Sequence, residues 1–255
     1  MSSLEGKTIL VTGASKGIGS AITRTLGFNG ASVIAHFGGD LQGAKDAICD
    51  FADGTAITIG ADLSDMSAVD TLWREALDWR GRIDVVVNNA AVMRLCGGIA
   101  DSDEAWDDVW AEAVDVNILA PARLMRHAVR HYLESGGGTL ITISSWAAQR
   151  GITNPEGIAY SATKSAVMAA TKTIARGYAK DNILAYIVAP GVVRTRLSEE
   201  SAATLGGEEV VTAGLAMGEW VPPEELADLV AFLSTGKCRH LSGATLDVNG
   251  ASYVR

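Results

Sequence analysis

Short apolar runs alternate with longer helical patterns along the whole of this chain. The runs span 7–12, 32–36, 55–60, 83–87, 139–144, 183–189 and 244–248. Several, such as Ile9-Leu10-Val11 and Val85-Val86-Val87, are apolar at every position rather than at every second one. A strand with one wet face alternates, whereas a continuous apolar strand is covered on both faces, as in a parallel sheet. Helical patterns fill the gaps at 17–29, 41–51, 66–79, 103–133, 158–180 and 223–234. With right-handed crossovers this rhythm predicts an α/β fold: a doubly wound, parallel, seven-stranded sheet with helices on both faces.

One stretch breaks the rhythm. Residues 191–221 hold Gly206-Gly207, Gly214 and Gly218, and a connection that long in a compact domain reads as a lid over a binding site. No linker, repeat or low-complexity tract divides the chain, so a single domain over 1–255 is expected.

Composition removes several function classes. With 48% hydrophobic and 20% charged residues, the chain is globular rather than disordered. A net charge of −9 argues against nucleic acid and against an anionic membrane surface, both of which need clustered Lys and Arg. No uncharged apolar run reaches the roughly 18 residues of a membrane span. The start, Met1-Ser2-Ser3-Leu4-Glu5-Gly6-Lys7, has no signal-peptide pattern. Cys49, Cys96 and Cys238 are odd in number and far apart, and no CxxC occurs. Free thiols in a reducing cytoplasm are expected.

The first strand ends in Thr12-Gly13-Ala14-Ser15-Lys16-Gly17-Ile18-Gly19 and runs straight into a helix. Glycines there allow a tight turn and let backbone N–H groups approach a pyrophosphate, to which the helix N-terminus adds partial positive charge. The spacing is Gly-x-x-x-Gly-x-Gly rather than Gly-x-Gly-x-x-Gly, and no Gly-Lys-Ser/Thr ending makes it a Walker loop.

Tyr160 and Lys164 stand one helical turn apart on one face. A phenol titrates near ~10, too high for proton exchange at neutrality, and a neighbouring cation pulls that value down. The pair is therefore a candidate general acid/base.

These motifs, together with Asp62-Leu63, Asn88-Asn89-Ala90, Asn117, Ser145 and Pro190-Gly191, resemble the short-chain dehydrogenase/reductase family in its single-domain form. They span essentially the whole chain in the family's order. The resemblance implies a Rossmann fold and an NAD(P)-dependent oxidoreductase that moves hydride between nicotinamide and an alcohol or carbonyl. It implies cofactor contacts at Gly13, Ser15, Lys16, Gly17, Ile18, Gly19, Asp62, Leu63, Asn89, Ala90, Tyr160, Lys164, Pro190, Gly191, Val193 and Thr195. Thr195 would bond the nicotinamide amide. Asp62 reads equally as a helix cap. The family usually has glycine after Ala90, where this chain has Ala91.

By the same resemblance Ser145 orients the substrate oxygen, with Ser144 as the alternative. Tyr160 exchanges the proton, Lys164 lowers the tyrosine's pKa and bonds the ribose, and Asn117 holds a water of the proton relay. The second strand places Phe37 where an NAD enzyme presents an acid to the ribose 2′-hydroxyl. Lys16 can instead pair with a 2′-phosphate. NADP(H) is thus favoured, with NAD(H) the alternative. His36 is either a further contact there or a packed strand residue.

No metal is implied. His127 and His131 share a helix face with Arg123, Arg126 and Arg130, which suits a solvated or interface surface. The acidic lid, with Glu199, Glu200, Glu208, Glu209 and Glu219, disfavours an acidic acyl carrier or a coenzyme A tail. Trp146, Arg150, Asn154, Glu156, Met93 and Arg94 flank the cleft and suit a small sugar, polyol or ketone. Two alternatives stand beside this reading: a 3-oxoacyl thioester reductase of the same family, and a non-catalytic dinucleotide-binding regulator. A dehalogenase relative would replace the lysine and lose the glycine turn. The family also pairs its long helices into a dimer of dimers, so a homotetramer is expected.

Overall fold

The computed structural model describes residues 3–254. Met1, Ser2 and Arg255, at the ends of the expected 1–255 domain, lie outside the described residues. All seven expected strands form: β1 (Thr8–Val11), β2 (Ser32–Phe37), β3 (Ala56–Gly60), β4 (Val85–Asn88), β5 (Gly138–Ile143), β6 (Ile183–Pro190) and β7 (Thr245–Val248). They make one parallel sheet in the order β3-β2-β1-β4-β5-β6-β7. The helices are α1 (Gly17–Phe28), α2 (Leu41–Ala47), α3 (Met66–Arg80), α4 (Asp103–Val114), α5 (Ala120–Ser135), α6 (Ala147–Arg150), α7 (Ile158–Tyr178), α8 (Arg196–Thr204), α9 (Glu208–Ala213) and α10 (Pro223–Ser234).

The continuous apolar strands are explained by two cores. Ile9, Val11, Val85 and Val87 pack with Ile22, Leu26, Leu226 and Val230 on one face. Leu10, Ile34, Val86 and Leu140 pack with Leu72, Leu124 and Ala128 on the other. Burying one such Leu or Ile contributes roughly 1.5–3 kcal/mol, so both faces of each strand are selected to be apolar. Among the described residues, no helix is long and apolar enough to cross a membrane.

Three expectations need correction. The single helix expected over 103–133 is two α-helices joined by a π turn at Asp115–Leu119, where the Ala120 N–H bonds back to the Asp115 carbonyl. Pro121 has no N–H, so it cannot donate to the Asn117 carbonyl four residues back, and the α register fails there. The helix expected over 41–51 ends at Ala47. The supposed loop 191–221 carries α8 and α9, separated by Gly206 and Gly207 at φ +98° and +103°. Left-handed glycines of this kind end one helix and start another. The neck of this segment is closed by a bridge between Val193 and Val221.

Candidate active site

The strand order reverses between β1 and β4, and in an open α/β sheet ligands bind beyond the carboxyl ends of the strands at that point. Here the two strand ends are tied together by Thr12 and Asn89. The Thr12 hydroxyl accepts from the Asn89 and Ala90 N–H groups at 3.0 and 3.1 Å. The Asn89 amide donates to the Thr12 and Gly13 carbonyls at 2.9 and 3.1 Å. Thr12 was in the motif, but its knotting role depends on a strand brought in from 77 residues away.

The glycines are required by close approach. A Cβ on Gly19 would lie 2.0 Å from the Gly13 oxygen. Gly13 and Gly17 have φ of +67° and +55°, and a Cβ on Gly17 would meet the Thr195 methyl at 3.1 Å. Among the described residues no side chain caps α1, whose N-cap is Lys16, so its first N–H groups have no side-chain cap there. They open on a cavity of about 530 Å³. Its lining includes Gly13, Lys16, Gly17, Ile18, Gly19, Asn89, Ala90, Tyr160, Lys164, Pro190, Gly191, Val193 and Thr195. A clear-backed cradle of this kind fits the pyrophosphate of a dinucleotide. Ala91 also lines it, without the positive φ that would demand glycine.

Of the expected residues, Ser15, Asp62, Leu63, Asn117 and Ser145 are not on that lining. The Ser15 hydroxyl donates to the Asp40 carbonyl at 2.8 Å. Asp62 accepts from the Ser64 N–H and hydroxyl at 2.9 and 2.8 Å, which lowers its pKa. The helix cap there is Asp65 instead. Leu63 is buried in the core. Thr195 caps α8, accepting from the Ser198 N–H at 3.3 Å.

The tyrosine, serine and lysine converge. Ser145 hydrogen-bonds the Tyr160 phenol and accepts from the Ala147 N–H at 3.1 Å. Ser144 turns the other way and donates to the Lys164 carbonyl at 3.0 Å, so its hydroxyl is occupied inside the fold. The Lys164 ammonium donates to the Ile143 carbonyl at 2.8 Å and lies 5.7 Å from the Tyr160 ring centre. Burial lowers its pKa to about 8. Burial also raises that of Tyr160, offset in part by the Ser145 bond. The expected lowering of the phenol by Lys164 is not seen: burial is the larger effect on Tyr160, and Lys164 is not among the causes of its shift.

Asn117 is buried on the π turn. Its amide oxygen accepts from Val92 N–H at 2.8 Å, and its NH₂ donates to the Val92 carbonyl and the Thr163 hydroxyl at 2.9 and 3.1 Å. The side chain is thus a clamp on the loop after β4, and both its donors are used. π turns of one turn's length recur at functional sites.

The chain matches the short chain dehydrogenase family over residues 7–206. It belongs to that family. This dehydrogenase is 32% identical to 3beta-hydroxysteroid dehydrogenase 1 of Eggerthella lenta over 250 residues, covering 97% of this chain and 94% of that one. It is 31% identical to the 3-oxoacyl acyl-carrier-protein reductase FabG of Escherichia coli, covering 98% of both. A crystal structure of a dehydrogenase/reductase from Sinorhizobium meliloti 1021 superposes with a TM-score of 0.84 at 30% identity, over 99% of this chain and 97% of that one. The dehydrogenase is an oxidoreductase that uses a nicotinamide nucleotide, as its family does.

His127 and His131 serve the scaffold. His127 stacks on Trp73 with ring centres 5.6 Å apart and contacts Asp70 at 2.6 Å. His131 accepts from the Ile83 N–H at 3.3 Å. The second-strand alternative is also decided. His36 is buried and bonded at both nitrogens, so it is a packed residue rather than a phosphate contact.

Proposed function

We propose that this dehydrogenase interconverts an uncharged secondary alcohol and its ketone, with sugars, polyols and small ketones as the favoured class and NADP(H) as the favoured cofactor. The observation that carries the substrate reading is the pairing of cations around the cleft. Arg94 is held by Glu112 at 2.6 Å, and Arg196 by Glu200 at 2.6 Å. Of the lysines and arginines lining the cavity, Lys16 and Lys164 alone have no carboxylate partner among the described residues. Lys164 is buried beside Tyr160, and Lys16 sits on the glycine turn. A carboxylate or phosphate on the substrate would therefore have to displace an existing ion pair.

When bound, the nicotinamide supplies or takes the hydride. Tyr160 holds the proton exchanged with the substrate oxygen, and Ser145 fixes that oxygen by hydrogen bonding. Lys164, whose ammonium is anchored on the Ile143 carbonyl, would bond the ribose hydroxyls. Asn117 serves the relay through its main-chain carbonyl, which Pro121 leaves without its α-helical donor. Gly13, Lys16, Gly17, Ile18, Gly19, Asn89, Ala90, Pro190, Gly191, Val193 and Thr195 line the dinucleotide cavity, while Ser15, Asp62 and Leu63 lie off that lining, with Asp62 and Leu63 on the expected adenine side. The NADP(H) preference is supported by Phe37, which lies over Gly60 where an acid would stand, and by Lys16, which is exposed and has no partner among the described residues. The segment 191–221 acts as lid to one domain. Exposed Leu119, Leu133 and Tyr178 supply apolar surface for the expected dimer of dimers.

A 3-oxoacyl thioester reductase remains the second reading, favoured by the similarity to FabG. Nicotinamide absorbance with each cofactor, scanned over sugars, polyols, neutral ketones and acyl thioesters, decides. Faster turnover of a carrier-bound thioester than of every neutral substrate would overturn the uncharged-alcohol reading.

A further inference from the structure

We propose that His36 is a positioning residue for the dinucleotide: its neutral ring holds the glycine turn in the form that receives the pyrophosphate. The inference rests on dinucleotide binding by the family and needs no particular substrate.

His36 takes two successive amide hydrogens of that turn. Its ring Nδ1 accepts from the Gly13 N–H at 3.1 Å, and its main-chain oxygen accepts from the Ala14 N–H at 2.8 Å. Its Nε2 lies 3.1 Å from the Ala61 carbonyl at the end of β3. The Gly13 N–H can only donate, so Nδ1 must accept, and the ring hydrogen sits on Nε2 facing Ala61. One side chain thus spans the ends of β1, β2 and β3. Gly13 has no slack: a Cβ there would meet the Ala90 Cα at 3.0 Å, and its own oxygen fills the space beside Gly19. A shift of Gly13 therefore reaches the N-terminus of α1.

A second proton on the ring would set an Nδ1–H against the Gly13 N–H, two donors at hydrogen-bond distance with no acceptor. The turn or the ring must then move. Burial lowers the His36 pKa, and the Ala61 carbonyl acts in the opposite sense. The titratable groups on the surrounding segments are Lys16 on the glycine turn, Asp40 after β2, and Asp62 and Asp65 after β3. Asp40 is bonded to the Gly43 N–H, Asp62 to Ser64 and Asp65 to Ser67. None is among the causes of the shift at His36. Because the folded pKa is lowered, the neutral ring persists through neutrality and is lost only on acidification.

Cofactor dissociation constants measured by fluorescence between pH 7.5 and 5.0 test this in the full chain. His36→Asn keeps an acceptor near the Nδ1 position but does not titrate. It should bind within about threefold of wild type at pH 7.5 and show a flatter response to acid. His36→Phe keeps bulk but orphans the Gly13 N–H, and should weaken binding on the order of tenfold. The 2′-phosphate of NADPH titrates in the same range. The readout is therefore the difference between variant and wild type, repeated with NADH. Imidazole nitrogen shifts should report the Nε2–H form at pH 7.5. An Nδ1–H form, or equal acid sensitivity of wild type and His36→Asn, overturns the inference and leaves the proposed reaction intact. If His36→Phe does not fold, the Asn comparison and the tautomer still decide.

Discussion

The Lys164 ammonium gives its hydrogen bond to the Ile143 carbonyl while lying 5.7 Å from the centre of the Tyr160 ring. The two groups form a buried pair in which burial opposes ionisation of both: the phenol titrates high and the ammonium low. That arrangement keeps the proton on the tyrosine oxygen and makes the lysine's charge depend on pH.

The protein should therefore become more stable as pH rises over a defined window. Lys164 titrates at about 8 when folded and at ~10.4 when unfolded, so the unfolded chain binds more protons between those values. Stability should rise from pH 8 to pH 10 and be insensitive to this group below 8. Lys164→Met should remove the slope and raise stability near neutrality by about 1–3 kcal/mol, while activity is lost. Urea midpoints across that range give the measurement.

Tyr160→Phe removes the one hydroxyl positioned by Ser145 but keeps the ring. Turnover should fall by roughly 10²–10⁴-fold, the usual contribution of a positioned acid or base, with cofactor affinity unchanged. A turnover within a factor of a few of wild type would remove Tyr160 from the chemistry.

The two adjacent serines should separate cleanly. Ser145→Ala should lower turnover steeply and leave stability nearly unchanged. Ser144→Ala breaks the bond to the Lys164 carbonyl and should cost about 1 kcal/mol of stability. Thermal denaturation beside initial rates distinguishes them.

Gly19→Ala cannot be accommodated without moving Gly13, whose oxygen would lie 2.0 Å from the new methyl carbon. Cofactor affinity should drop by about a hundredfold or more. Gly177→Ala is the control: it is helical, exposed and unobstructed, so it should stabilise by about 0.5–1 kcal/mol and leave affinity alone.

Lys16→Glu should weaken NADPH by about ten- to a hundredfold and spare NADH, because an exposed cation with no partner among the described residues is exchanged for a charge that repels a 2′-phosphate. Titrating both cofactors into wild type and variant tests it. Equal losses for the two would remove Lys16 from cofactor selection.

Much of the fold is legible in the sequence alone. Val85-Val86-Val87 has no polar alternate, so it had to be a strand buried on both faces. Gly13, Gly17 and Gly19 follow a strand and open a helix, so the tight turn at the head of α1 was legible. Residues 196–213 were not, because two short helices bounded by Gly206 and Gly207 leave too few turns for a periodic signal. The π turn at Asn117 was hidden because its cause, a proline four residues on, resembles an ordinary helix start.

Periodicity, glycine placement and the Tyr160–Lys164 spacing are local, and the chain alone determined them: seven buried strands, one glycine turn between strand and helix, and a tyrosine and a lysine on one helix face. The partners of buried polar atoms are not local. Only folding brought Gly13 to His36, Asn117 to Val92, and Lys164 to Ile143 rather than to the phenol. A hydrogen bond is decided by which groups packing carries within about 3 Å, and that distance is a property of the whole sheet rather than of any segment.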